Sequence, residues 1–217
     1  ERLRNTMHNR IESDVFVPGG GRPNTINEGN WREFLKKDGT PSSPIIVEGA
    51  NLFLTDKARE ELTKLGCFIV KDSSANKCGV ICSSFEIVAC MLLSESEFLA
   101  IKDKYIDEVL VRLRTLARLE ADLLVRMHQH DPQKPLFETS KKISKAIIRA
   151  ADAIESAIDG MPKSVEPLTR QIVLDHLPPI LSKTVGDKLW TKIPRAYLKW
   201  MIAKSLAARM IYREGFK

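Results

Sequence analysis

The chain has 217 residues, of which 43% are hydrophobic and 29% are charged, and its formal net charge is +6. This composition is typical of a folded globular protein and excludes a disordered tail, a collagen-like fibre and a disulfide-built miniprotein. The longest strictly apolar run, residues 87–93, is far shorter than the roughly 20 residues of a membrane-spanning helix, so no membrane insertion is expected.

Three short apolar runs predict β-strands in the first third of the chain. Residues 14–17, 45–48 and 67–70 are each followed by a turn signal, and such runs are typical of buried parallel strands. The segments between them are long enough for the crossovers that parallel pairing requires. The predicted fold class is therefore α/β, with the end of a parallel, Rossmann-like sheet rather than a whole one.

Helical periodicity dominates the rest of the chain. Residues 55–65 predict a helix with Thr55 as its N-cap and Gly66 as its stop. A much longer helix is predicted after Ser94, which with Glu97 forms a capping box. Later breaks are predicted at residues 130–135, 160–162 and 177–179, and the last helix is expected to run from near Pro194 to near Gly215.

Two parts are predicted from this pattern: residues 1–92, which contain the end of the α/β sheet, and residues 93–217, an all-α region. Charge is also uneven, since residues 1–137 hold 19 basic and 20 acidic side chains, whereas residues 138–217 hold 15 and 8. A basic half can attract nucleic acid, a membrane surface or an acidic partner. It has no interleaved aromatic pattern, so no nucleic-acid partner is expected and a solvated helical surface is the simpler interpretation.

The four cysteines are predicted to be small, buried, reduced thiols. No pair shows the two-residue gap of a zinc or thioredoxin motif, and no suitably placed histidine completes a metal site. No metal is therefore expected, and reduced thiols favour an intracellular compartment. The cysteines are Cys67, Cys78, Cys82 and Cys90.

Loops rich in glycine and asparagine follow the three predicted strands. Ligands of open α/β sheets bind outside the carboxyl ends of the strands. Glycine lets a backbone approach a ligand closely, and asparagine offers both a donor and an acceptor, which suits a carboxamide or a ribose. Turn formation is the alternative role of the same residues. The loops are residues 18–24, 48–51 and 71–76, with Gly20, Asn24, Asn51 and Asn76 as candidate ligand-binding residues.

The motifs of these loops resemble glutamate dehydrogenase. The similarity is greatest to the large, NAD-specific class of fungi and protists, in motif order, in spacing and in the long helical extension. It is specific over residues 1 to about 92, and it implies that they are the carboxyl-terminal part of an NAD-binding domain. It is looser over the α-helical carboxyl-terminal region, residues 93–217. The motifs are Val-Pro-Gly-Gly-Gly-Arg-Pro-Asn at 17–24, Val-Glu-Gly-Ala-Asn at 47–51, Asp-Ser-Ser-Ala-Asn-Lys-Cys-Gly-Val at 72–80 and Ser-Ser-Phe-Glu at 83–86.

The resemblance implies oxidative deamination of L-glutamate, in which hydride passes to NAD and 2-oxoglutarate and ammonium are formed. By position, Asn51 matches the family residue at the cofactor edge of the cleft, and Asn76 matches the one near the nicotinamide. Ser83 matches the serine that binds the side-chain carboxylate of the substrate, a role that suits a hydroxyl near a helix start. A plain surface hydroxyl is the alternative for Ser83. With Asn24, these residues are expected to gather at one edge of the sheet.

Departures from the family pattern limit what the chain is expected to do alone. Lys77 and Cys78 stand where small residues and a glycine are usual, and only Gly79 remains. The 217 residues also contain neither the GxGxxG turn that binds the pyrophosphate nor the family's catalytic lysine and aspartate. The chain is therefore expected to be the carboxyl-terminal portion of a parent enzyme, inactive alone, with no catalytic residue of its own.

The resemblance also implies partners and a location. Glutamate and 2-oxoglutarate would be the substrates, and the protein partners would be the missing amino-terminal part of the parent or further copies in a homo-oligomer. A mitochondrial location is favoured over a cytoplasmic one. A second hypothesis stays open at this point: a non-catalytic structural subunit of a larger complex that keeps the family's fold without its chemistry.

Overall fold

The computed structural model describes Thr6, His8 and residues 11–215 of the chain. The chain divides into two compact units. The first comprises the residues up to Lys77 together with Leu124–Lys142, and the second comprises Cys78–Leu123 and the residues from Ile143 on. Neither unit begins or ends at residue 92, where the sequence predicts a domain boundary. That domain boundary stays a prediction.

A three-stranded parallel sheet forms the centre of the first unit. Its strands are β1 (Val15–Phe16), β2 (Ile45–Val47) and β3 (Phe68–Val70), in the order β1-β2-β3. The prediction of one parallel sheet is confirmed, although each strand is one or two residues shorter than its apolar run. Among the strand residues, Ile46 of β2 and Ile69 of β3 are the buried ones.

The helix after β2 forms where the sequence predicts it. In α1 (Asp56–Lys64) the N-cap is Thr55, whose hydroxyl accepts the Ala58 N–H over 3.2 Å. The helix stops before Gly66, which has a φ of 87° that glycine adopts without strain. Ala58 and Leu62 lie on its buried face, in one core cluster with Ile46 and Ile69 of the sheet.

The remaining elements are helical. The described residues beyond β3 contain no strand. Ser94 and Glu97 form the predicted capping box at the start of the longest helix, with N–H contacts of 2.8 and 3.4 Å. The helices are α2 (Asp72–Ala75), α3 (Cys78–Leu92), α4 (Glu95–His130), α5 (Leu136–Ala157), α6 (Glu166–His176), α7 (Pro179–Val185), α8 (Lys188–Lys192) and α9 (Arg195–Glu214), with short 3-10 turns at Trp31–Phe34, Ile158–Gly160 and Lys163–Val165.

A separate apolar core holds the second unit together. It draws on α3, α4 and α6–α9, and its buried members include Phe85, Leu177 and Leu181. Tyr105 of α4 is also buried there, and its hydroxyl donates to the Phe85 carbonyl over 2.8 Å. A buried tyrosine needs such a partner, because an unpaired hydroxyl inside a core is costly.

The prediction of buried thiols holds only for one cysteine. All four thiols are free, but Cys78 and Cys90 are exposed and Cys82 is half-buried, because these three lie on the outer sides of α3. Cys67 is buried at the start of β3, and burial raises the pKa of its thiol to about 12. A search of the described residues finds no helix that is both long enough and apolar enough to cross a membrane.

Candidate functional site

Hydrogen bonds join the three predicted loops at the carboxyl ends of the strands. Loop 1 (residues 17–24) follows β1, loop 2 (48–52) follows β2 and loop 3 (71–77) follows β3. Each is taken one residue longer than its predicted range. The Asn24 N–H donates to the Leu52 carbonyl over 2.7 Å, which joins loop 1 to loop 2. The structure therefore brings Asn24 to the loop that holds Asn51, as the sequence predicts.

The side chains of Asn51 and Asn76 join loop 2 to loop 3. Asn76 Nδ2 donates to Asn51 Oδ1 over 2.5 Å and also contacts the Gly49 carbonyl at 3.4 Å. Within the described part of the chain, no hydrogen bond engages Asn51 Nδ2 or Asn76 Oδ1. The pair therefore presents one amide donor and one amide acceptor at the edge of the sheet.

Two glycines of these loops have structural reasons to be glycine. A Cβ at Gly49 would lie 3.0 Å from the Pro18 carbonyl oxygen, so loop 1 and loop 2 pack backbone to backbone there. Gly21 has a φ of 128° and lies against the Phe53 ring. Gly20, the predicted cofactor-binding glycine, is exposed and has open space around the position of a Cβ. No packing constraint explains Gly20, and the space beside it leaves room for a ligand.

Asp72 belongs to loop 3 and bonds to loop 2, a role that was not predicted from the sequence. The residue is 6% exposed, and its carboxylate accepts the Leu52 N–H over 2.8 Å and the Ser73 N–H over 2.7 Å. It also binds the Lys71 ammonium. Burial opposes ionisation of Asp72, but the ammonium and the two N–H donors outweigh it, so its pKa lies below the usual value.

A second ionic group anchors loop 2 from inside the unit. Glu48 is fully buried, and both of its carboxylate oxygens accept bonds from the Arg59 guanidinium, at 2.6 and 2.8 Å. Arg59 also reaches Asp56 over 2.6 Å, and Asp56 binds the Lys141 ammonium over 3.0 Å. Burial opposes the charge of Arg59, but the two carboxylates raise its pKa above the usual value. The end of β2 is thus tied to α1 and to the start of α5.

Ser83 belongs to the second unit. It lies in the first turns of α3, its side chain is exposed, and its hydroxyl donates to the Gly79 carbonyl over 3.1 Å. Its predicted contact with a substrate carboxylate stays a prediction. Among the residues that the structure describes, no group of three or more His, Cys, Asp or Glu side chains is placed to hold a metal ion.

Residues 1–130 match the model of the Glutamate/Leucine/Phenylalanine/Valine dehydrogenase family. The chain belongs to this family. It is 34% identical over 227 residues to glutamate dehydrogenase 2 of Dictyostelium discoideum, and 33% identical to the NAD-specific glutamate dehydrogenases of Neurospora crassa and Saccharomyces cerevisiae. The resemblance inferred from the loop motifs is therefore confirmed.

The alignments cover nearly all of this chain but a small part of each relative. They include 98% of the chain and 21% of each of these three proteins. The chain thus spans about a fifth of the length of the curated relatives that it matches. The comparison with solved structures gave no match.

Proposed function

We propose that the chain supplies the nicotinamide side of the active-site cleft in a longer, NAD-dependent glutamate dehydrogenase. The observation that supports this most is the Asn51–Asn76 pair, which lies at the carboxyl edge of a parallel sheet in a member of this dehydrogenase family. Ligands of such sheets bind at that edge. Two of the relatives are named NAD-specific glutamate dehydrogenases.

The residues present fit the nicotinamide half of the cofactor. The donor Asn51 Nδ2 and the acceptor Asn76 Oδ1 complement a carboxamide, which offers one acceptor and one donor. The open space beside Gly20 leaves room for a ring to approach the backbone of loop 1. The sequence contains no GxGxxG turn, so the pyrophosphate would be bound by residues outside this chain.

In this proposal the chain positions reactants and does not exchange protons with them. Bound NAD would supply the hydride acceptor for oxidation of L-glutamate at its α-carbon, which with water gives 2-oxoglutarate and ammonium. Asn51 and Asn76 orient the carboxamide. The Ser83 hydroxyl turns from the Gly79 carbonyl and donates to the distal carboxylate of glutamate. Correct orientation of reactants contributes several kcal/mol, on the order of 7 in favourable intramolecular cases. Proton transfer falls to groups elsewhere in the longer protein.

Steady-state kinetics on two proteins test the proposal. The intact longer protein should reduce NAD in the presence of L-glutamate, and the purified 217-residue chain should not, because it has neither a pyrophosphate loop nor the family's catalytic lysine. Turnover by the short chain would contradict the assignment of catalysis to other segments. A longer protein that is folded but does not oxidise glutamate would instead favour a structural subunit. A mitochondrial location and a homo-oligomeric state stay predictions.

A further inference from the structure

We infer that Asp72 is a positioning residue that orients Asn51 by holding Leu52 in a left-handed backbone conformation. The inference deepens the proposed function and rests on it where it concerns the cofactor, since Asn51 is there taken to bind the nicotinamide carboxamide. The part that concerns the backbone rests on the structure alone.

Leu52 adopts a conformation that leucine avoids. Its φ is +53°, in the left-handed region that costs a residue with a Cβ about 1–2 kcal/mol. The side chain is 54% exposed, so side-chain packing does not hold the residue in place. Such a conformation persists only when the surroundings impose it, and it occurs most often at functional sites.

Hydrogen bonds to both sides of Leu52 impose the conformation. Its N–H donates to Asp72 Oδ2 over 2.8 Å, and its carbonyl accepts the Asn24 N–H over 2.7 Å. The first of these bonds is charge-assisted, since Asp72 is ionised and paired with Lys71, and such bonds are about twice as strong as neutral ones. Asp72 therefore provides the stronger of the two restraints.

The same bond fixes the orientation of Asn51. The N–H that Asp72 binds belongs to the peptide group between Asn51 and Leu52. Because that group is planar, the carboxylate fixes the orientation of the peptide plane that is attached to the Asn51 Cα. The Asp72 main-chain carbonyl meanwhile accepts the Asn76 N–H over 3.0 Å. One residue thus restrains the backbone at both members of the Asn51–Asn76 pair, which explains how their side chains meet across two loops.

Amide hydrogen exchange of the full chain without cofactor tests the backbone part. Asp72→Ala should speed the exchange of the Leu52 amide roughly tenfold or more, because a charge-assisted bond is lost. The matched control is Lys71→Gln, which removes the ammonium partner of Asp72 but leaves the bond to Leu52; exchange should stay near that of the original chain. Unchanged exchange in Asp72→Ala would overturn the inference.

Kinetics of the intact longer enzyme test the part that concerns the cofactor. Asp72→Ala should raise the KM for NAD and lower kcat, so that kcat/KM for NAD falls about 5- to 30-fold. This range is the free-energy cost of the left-handed conformation of Leu52, converted to a ratio of populations. The KM for glutamate should change little. The double variant Asp72→Ala/Leu52→Gly should recover part of the loss, because glycine adopts a positive φ without cost.

The outcomes separate the inference from the proposed function. A loss in Asp72→Ala that Leu52→Gly does not recover would show a general structural role and overturn the inference. If the unaltered enzyme does not oxidise glutamate, the proposed function fails, while the exchange experiment still decides the role of Asp72. If Asp72→Ala does not fold, Asp72→Asn replaces it. That variant keeps one acceptor oxygen but loses the charge, and the same faster exchange of Leu52, smaller in size, is expected.

Discussion

Asn76 donates a side-chain hydrogen bond to Asn51 over 2.5 Å, although the two residues are 25 positions apart in the chain. The strands that precede them, β2 and β3, are only three residues long. Strands this short fix the ends of their loops but not the side chains within them. The contacts of loops 1–3 therefore decide where the two carboxamides lie.

An isosteric change at Asn51 separates the cofactor contact from the loop contact. Asn51→Asp keeps the oxygen that accepts from Asn76 and replaces the amide donor by a second acceptor. We expect the KM for NAD of the intact longer enzyme to rise about tenfold or more. The donor to the carboxamide is lost, and an acceptor oxygen of the new aspartate faces the acceptor oxygen of the carboxamide instead.

The melting temperature of the same variant is the control. Because the Asn76–Asn51 bond is retained and becomes charge-assisted, the melting temperature should fall little if at all. A variant with an unchanged KM for NAD and a lowered melting temperature would show that Asn51 serves only to join loop 2 to loop 3.

Ser83 can be compared with its immediate neighbour. Ser83→Ala should raise the KM for glutamate roughly tenfold, because a hydrogen bond to a charged group contributes about 1.5–3 kcal/mol. The KM for NAD should stay nearly unchanged. Ser84→Ala is the matched control, since the Ser84 hydroxyl donates to the Ile81 carbonyl over 2.6 Å within the helix. The role assigned to Ser83 would be wrong if its variant altered only the dependence on NAD.

The buried pair Glu48–Arg59 should dominate the stability of the first unit. Arg59→Met leaves the fully buried Glu48 carboxylate without its bidentate partner, which should lower the free energy of unfolding by about 3–5 kcal/mol. Restoring neutrality in Glu48→Gln/Arg59→Met should recover part of that loss. Urea unfolding followed by circular dichroism measures both.

An exposed ion pair in the same helix provides the comparison. Lys57 binds Glu61 over 2.9 Å with half of its side chain in solvent, and Lys57→Met should lower the free energy of unfolding far less than Arg59→Met does. Equal losses in Arg59→Met and Lys57→Met would mean that burial of the Glu48–Arg59 pair has no energetic consequence.

His176 should make the second unit sensitive to mild acid. Burial, with a smaller effect of Arg112 and Arg209, lowers its pKa to about 4. Between pH 6.5 and pH 4 the unfolded chain binds a proton that the folded chain does not. Stability is therefore complete above pH 6.5 and falls as the pH decreases toward 4, by a total of about 3 kcal/mol.

Nuclear magnetic resonance of the imidazole checks this value directly. The His176 ring should titrate near pH 4, and His176→Gln should remove its part of the loss of stability between pH 6.5 and 4. A titration near pH 6.5 would show that the ring beside Phe85 is solvated after all.

The elements of the fold could be predicted because each has a local cause. Thr55 caps α1 through its own side chain, and the Ser94–Glu97 box opens α4 in the same way, so both helix starts can be read from sequence. The parallel sheet follows from apolar runs with long connections. The strand ends were predicted less well. Val17 continues the apolar run and Asp14 lies beside it, but neither residue pairs with the neighbouring strand.

The contacts that shape the site are not local, and they were missed for that reason. Leucine gives no signal for a positive φ, so nothing in the sequence marks Leu52. Asp72 lies two residues after the end of β3 and opens a short helix, where an acidic side chain is common. Its bond to Leu52 spans 20 positions. The only sequence signal for this bond was the position of Asp72, an acidic residue that opens a helix shortly after a buried strand. The Glu48–Arg59 pair spans 11 positions and was missed in the same way.

The proposed role of loops 2 and 3 is to hold the nicotinamide of NAD during oxidation of glutamate. The most direct measurement is the initial rate of NADH formation from L-glutamate by the intact longer protein, with the original sequence and with Asn76→Ala. We expect activity in the original protein and, in the variant, a lower kcat together with a higher KM for NAD, because a misplaced nicotinamide accepts hydride poorly. Activity that is unchanged by Asn76→Ala would show that the nicotinamide binds elsewhere.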